Sequence, residues 1–232
     1  GRTPAVVAGH SLGEYTALVA AGALRLSDAL PLVRLRAQAM QRAVPVGQGA
    51  MAAILGLDAA EVSRVCAQVQ AQRGEVVSAA NFNDPKQTVI SGAKAAVDAA
   101  CEALKAAGAK RALPLAVSAP FHCALMKPAA EDLQPVLART DFAPPAIDVI
   151  NNIDVQAPRE GAAIRDALYR QAFGPVRWVE IVQAMRARGV DAIIECGPGK
   201  VLSGMVKRIE PELRTTTVLD PASLVQAKEL LA

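Results

Sequence analysis

The chain has 232 residues, a length sufficient for one large domain or for a domain with an inserted subdomain. It carries 25 basic and 22 acidic residues, and this near balance gives no electrostatic argument for binding nucleic acid. No apolar run is long enough to cross a bilayer and no signal peptide opens the sequence, so we expect a cytoplasmic protein without membrane partners. The 4 cysteines show no C-x-x-C pair or metal-ligand spacing, which favours free thiols and no metal site.

The predicted elements begin with an apolar strand at residues 4–8 and a helix at residues 14–20. A second helix is predicted over residues 28–44, with Ser27 and Asp28 as candidate caps. Its core-facing side is expected to hold the apolar residues Leu30, Val33, Ala37 and Met40. Because a strand like the first one is usually paired on both sides, we expect that earlier strands are missing and that the chain is truncated at its N-terminus.

A different pattern occupies residues 47–117. Strands are predicted at 51–57, 75–80, 87–91 and 111–117; helices are predicted from the capping-box sequence Asp58–Glu61 onward and at 94–107. The order β-α-β-β-α-β is typical of a ferredoxin-like subdomain. We therefore predict that residues 47–117 are a small subdomain inserted into a core formed by residues 1–46 and 118–232.

Helices and strands alternate again in the remainder of the chain. Helices are predicted at 127–139, 162–171 and 179–188, strands at 147–151, 191–195 and 216–219, and a further helix after the turn at 197–199. Such alternation favours an α/β fold with a parallel sheet, here a hydrolase-like core. The turn Gly197-Pro198-Gly199-Lys200 matches neither a phosphate-binding loop nor a dinucleotide fingerprint, and we predict no cofactor.

The sequence Gly9-His10-Ser11-Leu12-Gly13 has the form G-x-S-x-G and stands between the first strand and the first helix. In this context the serine lies on a sharp strand-to-helix turn with an exposed hydroxyl. Both glycines are expected because no Cβ fits where the strand and helix backbones nearly touch. The helix N-terminus adds a partial positive charge that suits a developing oxyanion. We therefore predict that Ser11 is the nucleophile of an acyl-transferring or acyl-hydrolysing enzyme.

A serine nucleophile needs a general base, and the chain has 2 histidines. His10 adjoins Ser11 in an extended segment, where consecutive side chains point to opposite faces, so we expect a packed, hydrogen-bonded core histidine. His122 follows the last strand of the predicted insert and remains as the candidate base. The acids between Ser11 and His122 (Asp58, Asp84 and Asp98) fall within the insert, so we expect a backbone carbonyl to orient the imidazole. This departure from a Ser-His-Asp order weakens a plain esterase interpretation.

Seven segments in order resemble one family. They are GHSLGEY (9–15), LR (35–36), VPVGQGAMAAI (44–54), NFN (81–83), FHCALMKPA (121–129), NNIDV (151–155) and ECGPGKVL (195–202). In these segments the chain is similar to the malonyl-CoA–acyl carrier protein transacylases of fatty-acid synthesis. The resemblance implies a ping-pong transfer: Ser11 takes the malonyl group from malonyl-CoA and the phosphopantetheine thiol of acyl carrier protein then receives it. His122 is implied as the base in both halves.

The same resemblance implies further site residues. Arg36 matches the arginine that holds the malonyl carboxylate, and Gln171 the residue whose backbone carbonyl orients the histidine. The N–H of Leu12 is implied as one oxyanion donor; the family's second donor, a glutamine in an earlier loop, has no counterpart before Ser11. Phe121 is implied to exclude an α-methyl group, and Asn81 to contact substrate.

Two other functions remain open from the residues. A carboxylester hydrolase or thioesterase would use the same serine turn, although Arg36 and the absence of a well-placed acid disfavour it. An inactive fragment that binds the carrier protein is a third interpretation, suggested by the expected loss of N-terminal strands.

Overall fold

The computed structural model describes residues 3–230, and the chain divides between Trp178 and Val179 into two compact units. No helix within the described residues is long and apolar enough to span a membrane. All four cysteines are free thiols. The fold is of the α/β class, with both parallel and antiparallel strand pairs.

In the first unit, a short parallel pair carries the predicted nucleophile. Strand β1 (Val6–Ala8) pairs with β6 (Asp148–Ile150) in parallel register. Helices α1 (Gly13–Ala20) and α2 (Leu26–Ala43) follow β1 in the chain. Later come a short 3-10 helix, Ala124–Met126, and helices α5 (Lys127–Arg139) and α6 (Gly161–Gln171). One apolar cluster joins side chains of α1, α2, α5 and α6, so these helices and the strand pair share a core.

The middle of this unit is a four-stranded antiparallel sheet with the spatial order β3-β4-β2-β5. The strands are β2 (Gly49–Leu55), β3 (Val77–Asp84), β4 (Gln87–Ala93) and β5 (Arg111–Pro114). Helices α3 (Ala59–Arg73) and α4 (Lys94–Ala106) connect them and share a second apolar cluster with the sheet. The chain order of the elements in this region is therefore the β-α-β-β-α-β expected from the sequence.

The second unit contains a parallel strand pair. Helix α7 (Trp178–Ala187) begins at the division between the units and is followed by β7 (Ala192–Cys196) and α8 (Val201–Ile209). Strand β8 (Arg214–Val218) pairs with β7, and α9 (Pro221–Leu230) ends the described chain. The Glu195 carboxylate accepts hydrogen bonds from the backbone N–H groups of Leu202 and Ser203 at 3.2 and 2.7 Å, and so caps α8. Helix α9 was not expected from the sequence.

Several local predictions were wrong. Helix α2 begins at Leu26. Asp28 Oδ2 accepts a hydrogen bond from Arg25 Nε at 2.6 Å and does not cap the helix. Asp58 precedes α3 without a side-chain capping bond and pairs with Lys86. Strand β5 ends at Pro114, so residues 115–117 are not part of it.

The buried face of α2 also differs from the predicted one. Leu30 is 59% exposed, whereas Ala29, Leu32, Arg36 and Met40 are buried. The predicted apolar face is therefore rotated relative to the true one, and only Met40 of its four residues is buried. The reason is that the true buried face includes a charged residue, which an apolar-spacing argument assigns to solvent. This rotation directs Arg36 into the interior of the first unit.

Candidate active site

The Ser11 turn is held by contact between backbones. A Cβ at Gly9 would lie 1.9 Å from the carbonyl carbon of Gly13, so only glycine fits there. At Gly13 a Cβ would meet nothing within 4 Å, so the expectation that both positions need glycine was wrong for Gly13. Ser11 adopts φ +52°, the left-handed region that is strained for residues other than glycine. The strand-to-helix geometry at Ser11 is therefore the one that the pentapeptide predicted.

The two predicted catalytic side chains are in contact. Ser11 Oγ lies 2.7 Å from His122 Nε2. On the other side of the ring, His122 Nδ1 donates to the backbone carbonyls of Gln171 at 3.1 Å and Gly174 at 3.2 Å. Because two carbonyls can only accept, they place the ring proton on Nδ1 and leave Nε2 free to accept from the serine hydroxyl.

No carboxylate takes part in orienting His122 within residues 3–230. Among the acids considered from the sequence, Asp58 pairs with Lys86, Asp98 pairs with Lys94, and Asp84 accepts from the backbone of Lys86. The expectation that a backbone carbonyl replaces the acid therefore agrees with the geometry. His10 is separate from the pair: its Nε2 lies 2.9 Å from Asn83 Oδ1, and its ring packs against Trp178.

His122 is uncharged near neutral pH. Burial, followed by the positive charge of Arg36 and the proximity of His10, lowers the pKa of His122 to about 3, although the two carbonyls on Nδ1 favour the charged form. A neutral imidazole with a free Nε2 is the form that can accept a proton from a serine hydroxyl.

Arg36, on helix α2, also contacts the Ser11 hydroxyl. It is 6% exposed, and its Nη2 donates to Ser11 Oγ at 3.0 Å and to Gln171 Oε1 at 3.2 Å. The guanidinium carbon lies 5.6 Å from the centre of the Tyr15 ring, within the range of a cation–π contact. Arg36 Nε is buried and has no hydrogen-bond partner among the described residues. Burial lowers the pKa of Arg36, but an arginine stays charged in proteins.

A buried polar network lies behind the serine and was not foreseen from the sequence. Asn152 Oδ1 accepts from Ser11 N at 2.7 Å, and Asn152 Nδ2 donates to Gly9 O at 2.7 Å. Gln171 Nε2 donates to Ser11 O and to Glu14 Oε2, both at 3.0 Å. The sequence signal that could have indicated this network is the presence of Glu14 on the buried side of α1 and of Asn151-Asn152 directly after β6.

Ser11, Arg36 and His122 open into a cleft of about 320 Å³ that Phe121 and Asn81 also line. Its remaining lining residues are His10, Met51, Leu115 and Val117. Leu12 lies beside the cleft as the residue before α1; its side chain is 51% exposed, and within residues 3–230 its N–H donates to no acceptor. Ser11, Arg36, Asn81, Phe121 and His122 thus line one cleft, Gln171 hydrogen-bonds to Ser11 and Arg36, and Leu12 follows Ser11 in the chain. No cluster of three or more metal-ligating side chains occurs in the described part of the chain.

Comparison with known proteins gives consistent matches. The acyl transferase domain family model matches residues 1–219. The malonyl CoA-acyl carrier protein transacylase of Escherichia coli K12 is 53% identical over 230 residues, which make up 99% of this chain and 74% of that protein. The protein of the same name from Haemophilus influenzae is 56% identical over 228 residues, covering 98% of this chain and 72% of that protein.

Solved structures agree with the sequence matches. The acyl-carrier-protein S-malonyltransferase of Burkholderia pseudomallei superimposes with a TM-score of 0.96 at 61% identity, covering 99% of this chain and 74% of that one. A malonyl transacylase solved in complex with a type II polyketide synthase acyl carrier protein has a TM-score of 0.96 at 52% identity, with 99% and 74% covered. The chain therefore belongs to the malonyl-CoA–acyl carrier protein transacylases of the acyl transferase domain family.

Proposed function

We propose that this protein transfers the malonyl group of malonyl-CoA to the phosphopantetheine thiol of acyl carrier protein, a step of fatty-acid biosynthesis, through a malonyl-serine intermediate. The observation that carries the proposal is the convergence of a nucleophile, a neutral base and a buried cation on one cleft. His122 Nε2 and Arg36 Nη2 lie 2.7 and 3.0 Å from Ser11 Oγ. A hydrolase would use the first two groups but has no need for the third.

In the first half of the reaction, Ser11 Oγ attacks the thioester carbonyl carbon of malonyl-CoA, and His122 Nε2 accepts the hydroxyl proton. The imidazolium that forms is stabilised by the carbonyl oxygens of Gln171 and Gly174 on Nδ1. Collapse of the tetrahedral intermediate breaks the carbon–sulfur bond, and the CoA thiolate leaves with the proton from His122. Loss of this proton returns His122 to the neutral form that burial favours.

In the second half, the thiol of the carrier protein's phosphopantetheine takes the place of CoA. His122 accepts the thiol proton, the sulfur attacks the malonyl-serine carbonyl, and Ser11 Oγ leaves and recovers the proton. The same base serves both halves because each one exchanges an oxygen and a sulfur on a single carbonyl carbon. Each half regenerates the neutral histidine, so the cycle needs no cofactor.

The negative charge on the tetrahedral carbonyl oxygen requires hydrogen-bond donors. We assign one of them to the N–H of Leu12, which has no acceptor within residues 3–230 and stands at the N-terminal end of α1. The helix dipole at this end also favours a negative charge.

We assign the malonyl carboxylate to Arg36. A guanidinium can form two parallel hydrogen bonds with a carboxylate, whereas a lysine acts as a point charge. Arg36 is buried, its hydrogen bonds go to the uncharged hydroxyl of Ser11 and the uncharged amide of Gln171, and its Nε has no partner among the described residues. A carboxylate in the cleft can form an ion pair with this guanidinium, so we expect a preference for malonyl over acetyl groups.

Two cleft residues complete the substrate assignment. Phe121 precedes the catalytic histidine in the chain and lines the cleft, where a bulky ring excludes an α-methyl group and favours malonyl over methylmalonyl. Asn81, which is 7% exposed and lines the same cleft, supplies an amide for polar substrate atoms.

The finer description of the fold is part of this proposal. The order β3-β4-β2-β5, with both helices packed on the sheet, supports a ferredoxin-like subdomain at residues 47–117. The parallel pair β1–β6 and the strand-to-helix turn at Ser11 support a hydrolase-like core formed by residues 1–46 and 118–232.

The test is an incubation with malonyl-CoA labelled in the malonyl group and with holo acyl carrier protein. Label on the carrier protein is the expected result, and it requires Ser11, so the Ser11→Ala variant serves as the control. Release of free labelled malonate without labelled carrier protein would indicate a hydrolase. Capture of the carrier protein without any transfer of label would indicate the inactive binding fragment.

A further inference from the structure

Helix α1 carries a carboxylate that the acyl transfer described above does not use. Glu14 is 2% exposed, and its Oε2 accepts hydrogen bonds from the backbone N–H of Asn152 at 2.8 Å and from Gln171 Nε2 at 3.0 Å. A buried carboxylate is costly unless its hydrogen bonds are satisfied. Its partners belong to segments that are distant in sequence, 138 and 157 residues away, so Glu14 joins three parts of the first unit.

The two residues that Glu14 holds also hold the backbone of the nucleophile. Asn152 Oδ1 accepts from Ser11 N at 2.7 Å, and Gln171 Nε2 donates to Ser11 O at 3.0 Å. The backbone of Ser11 fixes the orientation of both side-chain amides. Its N–H can only donate, so it faces the Asn152 oxygen, and its carbonyl can only accept, so it faces the Gln171 nitrogen. Both backbone polar groups of Ser11 therefore have a side-chain partner, and Glu14 binds the backbone N–H of one partner residue, Asn152, and the side-chain amide of the other, Gln171.

This arrangement matters because the conformation of Ser11 is strained. A φ of +52° is strained for a residue with a Cβ and persists only where surrounding contacts impose it. The two amides supply such contacts, and a loosened network would let the serine turn relax. The hydroxyl oxygen would then move relative to His122 Nε2, which lies 2.7 Å away.

We propose that Glu14 is a positioning residue for the acyl transfer: it holds the backbone of Asn152 and the side-chain amide of Gln171, and the side chains of these two residues keep Ser11 in its reactive conformation. Glu14 forms no hydrogen bond with His122 or with the serine hydroxyl, so it acts through the backbone of Asn152 and the amide of Gln171. The inference depends on the proposed function in one respect, because it takes Ser11 as the nucleophile. Gln171 extends the effect to Arg36, whose Nη2 donates to Gln171 Oε1.

We expect the position of the acceptor oxygen of Glu14 to matter more for the reactivity of Ser11 than the charge of the carboxylate. Burial raises the pKa of Glu14 to about 7, so the neutral form is accessible near neutral pH. A glutamine has the same length and offers an amide oxygen to both donors. An aspartate keeps the charge, but its side chain is one methylene shorter. It cannot reach the Asn152 N–H and the Gln171 amide without moving one of them. The variants Glu14→Gln and Glu14→Asp therefore separate geometry from charge.

The experiment measures the reactivity of Ser11 with a fluorophosphonate probe, which labels an activated serine whether or not the protein transfers malonyl groups. Labelling rates are compared for the wild type, Glu14→Gln and Glu14→Asp, with Ser11→Ala as the blank. Leu18→Ala, which removes a buried apolar side chain from the same helix away from the network, controls for loss of stability. Thermal unfolding of each variant is recorded, and labelling is measured where all are folded.

We expect Glu14→Gln to stay within about threefold of the wild-type rate and Glu14→Asp to fall by about tenfold or more, since small displacements of a reacting group have effects of this size. Leu18→Ala should lower the unfolding temperature without changing the labelling rate. Equal rates for the two Glu14 variants, or a slower Glu14→Gln, would overturn the proposal, as would equal slowing by Leu18→Ala. A wild type that is labelled but transfers no malonyl group would instead refute the proposed function.

Discussion

Different interactions hold the four-stranded antiparallel sheet on its helices and the Ser11 turn in place. In the sheet the contacts are apolar: Ala52, Ile54 and Ile90 are fully buried among helix residues such as Leu104. At the serine turn the contacts are hydrogen bonds that join side-chain amides, a carboxylate and backbone groups. Apolar packing is non-directional, whereas hydrogen bonds fix distances and angles. We therefore expect damage in the sheet to lower stability and damage at the turn to lower the reaction rate.

The largest effect is expected at the nucleophile. Ser11→Ala should abolish formation of the malonyl-enzyme, because no other hydroxyl in the cleft has a base at 2.7 Å. The measurement is the intact mass of the protein after incubation with malonyl-CoA. Ser27→Ala, a change at an exposed residue, is the matched control and should still gain the malonyl mass. A malonyl group found on another residue of the Ser11→Ala protein would contradict the assignment.

Loss of the base should have the next largest effect. His122→Ala is expected to lower kcat by about a hundredfold to ten-thousandfold, the usual contribution of a general base. Steady-state kinetics with malonyl-CoA and holo acyl carrier protein measure this, and circular dichroism checks that the variant is folded. Turnover close to that of the wild type would mean that His122 has only a structural role.

For the antiparallel sheet we expect a large loss of stability with little change in activity. Ile54 lies on β2 and is fully buried, so Ile54→Ala is expected to lower the free energy of unfolding by about 2–5 kcal/mol. The kcat/KM of the folded protein should change by less than about twofold, because Ile54 packs in the second apolar cluster, which does not include Met51 or Asn81, the sheet residues that line the cleft. Urea unfolding and kinetics on the same sample measure both quantities.

Leu113→Ala is the matched control for that change. Leu113 lies on the neighbouring strand β5 but is 43% exposed, so its loss should alter the unfolding free energy by at most about 0.5 kcal/mol. A large fall in kcat/KM for Ile54→Ala would show that the two regions are coupled and would invalidate the comparison.

Between pH 3 and 7 two buried groups of the serine site should make opposing contributions to the pH dependence of stability. Burial raises the pKa of Glu14 from 4.5 to about 7, so between these values the folded protein binds more protons than the unfolded chain. Stability contributed by protonated Glu14 is complete below pH 4.5 and is lost as the pH rises towards 7. The opposite holds for His122, whose lowered pKa causes a loss of stability as the pH falls from 6.5 towards 3.

Glu14→Gln removes the pH dependence that comes from Glu14 and keeps the one that comes from His122. Relative to the wild type, the variant should gain stability between pH 4.5 and 7, by an amount on the order of 3 kcal/mol for the full shift. Urea unfolding at pH 5, 6 and 7.5 measures the difference. A difference that stays constant with pH would contradict the raised pKa of Glu14.

The elements of the fold were largely predictable because their signals are local. The strands and helices of residues 47–117 follow apolar patterns and capping residues that lie within each element. The face of α2 was not predictable from spacing, since burying Arg36 depends on partners contributed by Ser11 and Gln171. Helix α9 was missed because its larger apolar side chains do not form a buried face: Leu224 and Val225 are 44% and 55% exposed.

The site was predictable only in part, for a related reason. Ser11 has a local sequence signature, and His122 could be inferred by elimination between two histidines. The network of Glu14, Asn152 and Gln171 has no such signature, because its hydrogen bonds join residues more than 100 positions apart. Amide side chains have many alternative partners in a sequence of this length, and only the folded chain selects among them.

Arg36 gives the most direct test of the central claim, that a buried cation makes this serine site selective for malonyl groups. The measurement is the ratio of kcat/KM for malonyl-CoA to that for acetyl-CoA in the wild type and in Arg36→Ala. Removing the partner of a desolvated carboxylate should cost about 3–5 kcal/mol for malonyl-CoA, while acetyl-CoA has no carboxylate to lose a partner. We predict that the ratio collapses because only the malonyl value falls. An equal fall for both substrates would contradict the account and assign Arg36 to the support of the fold.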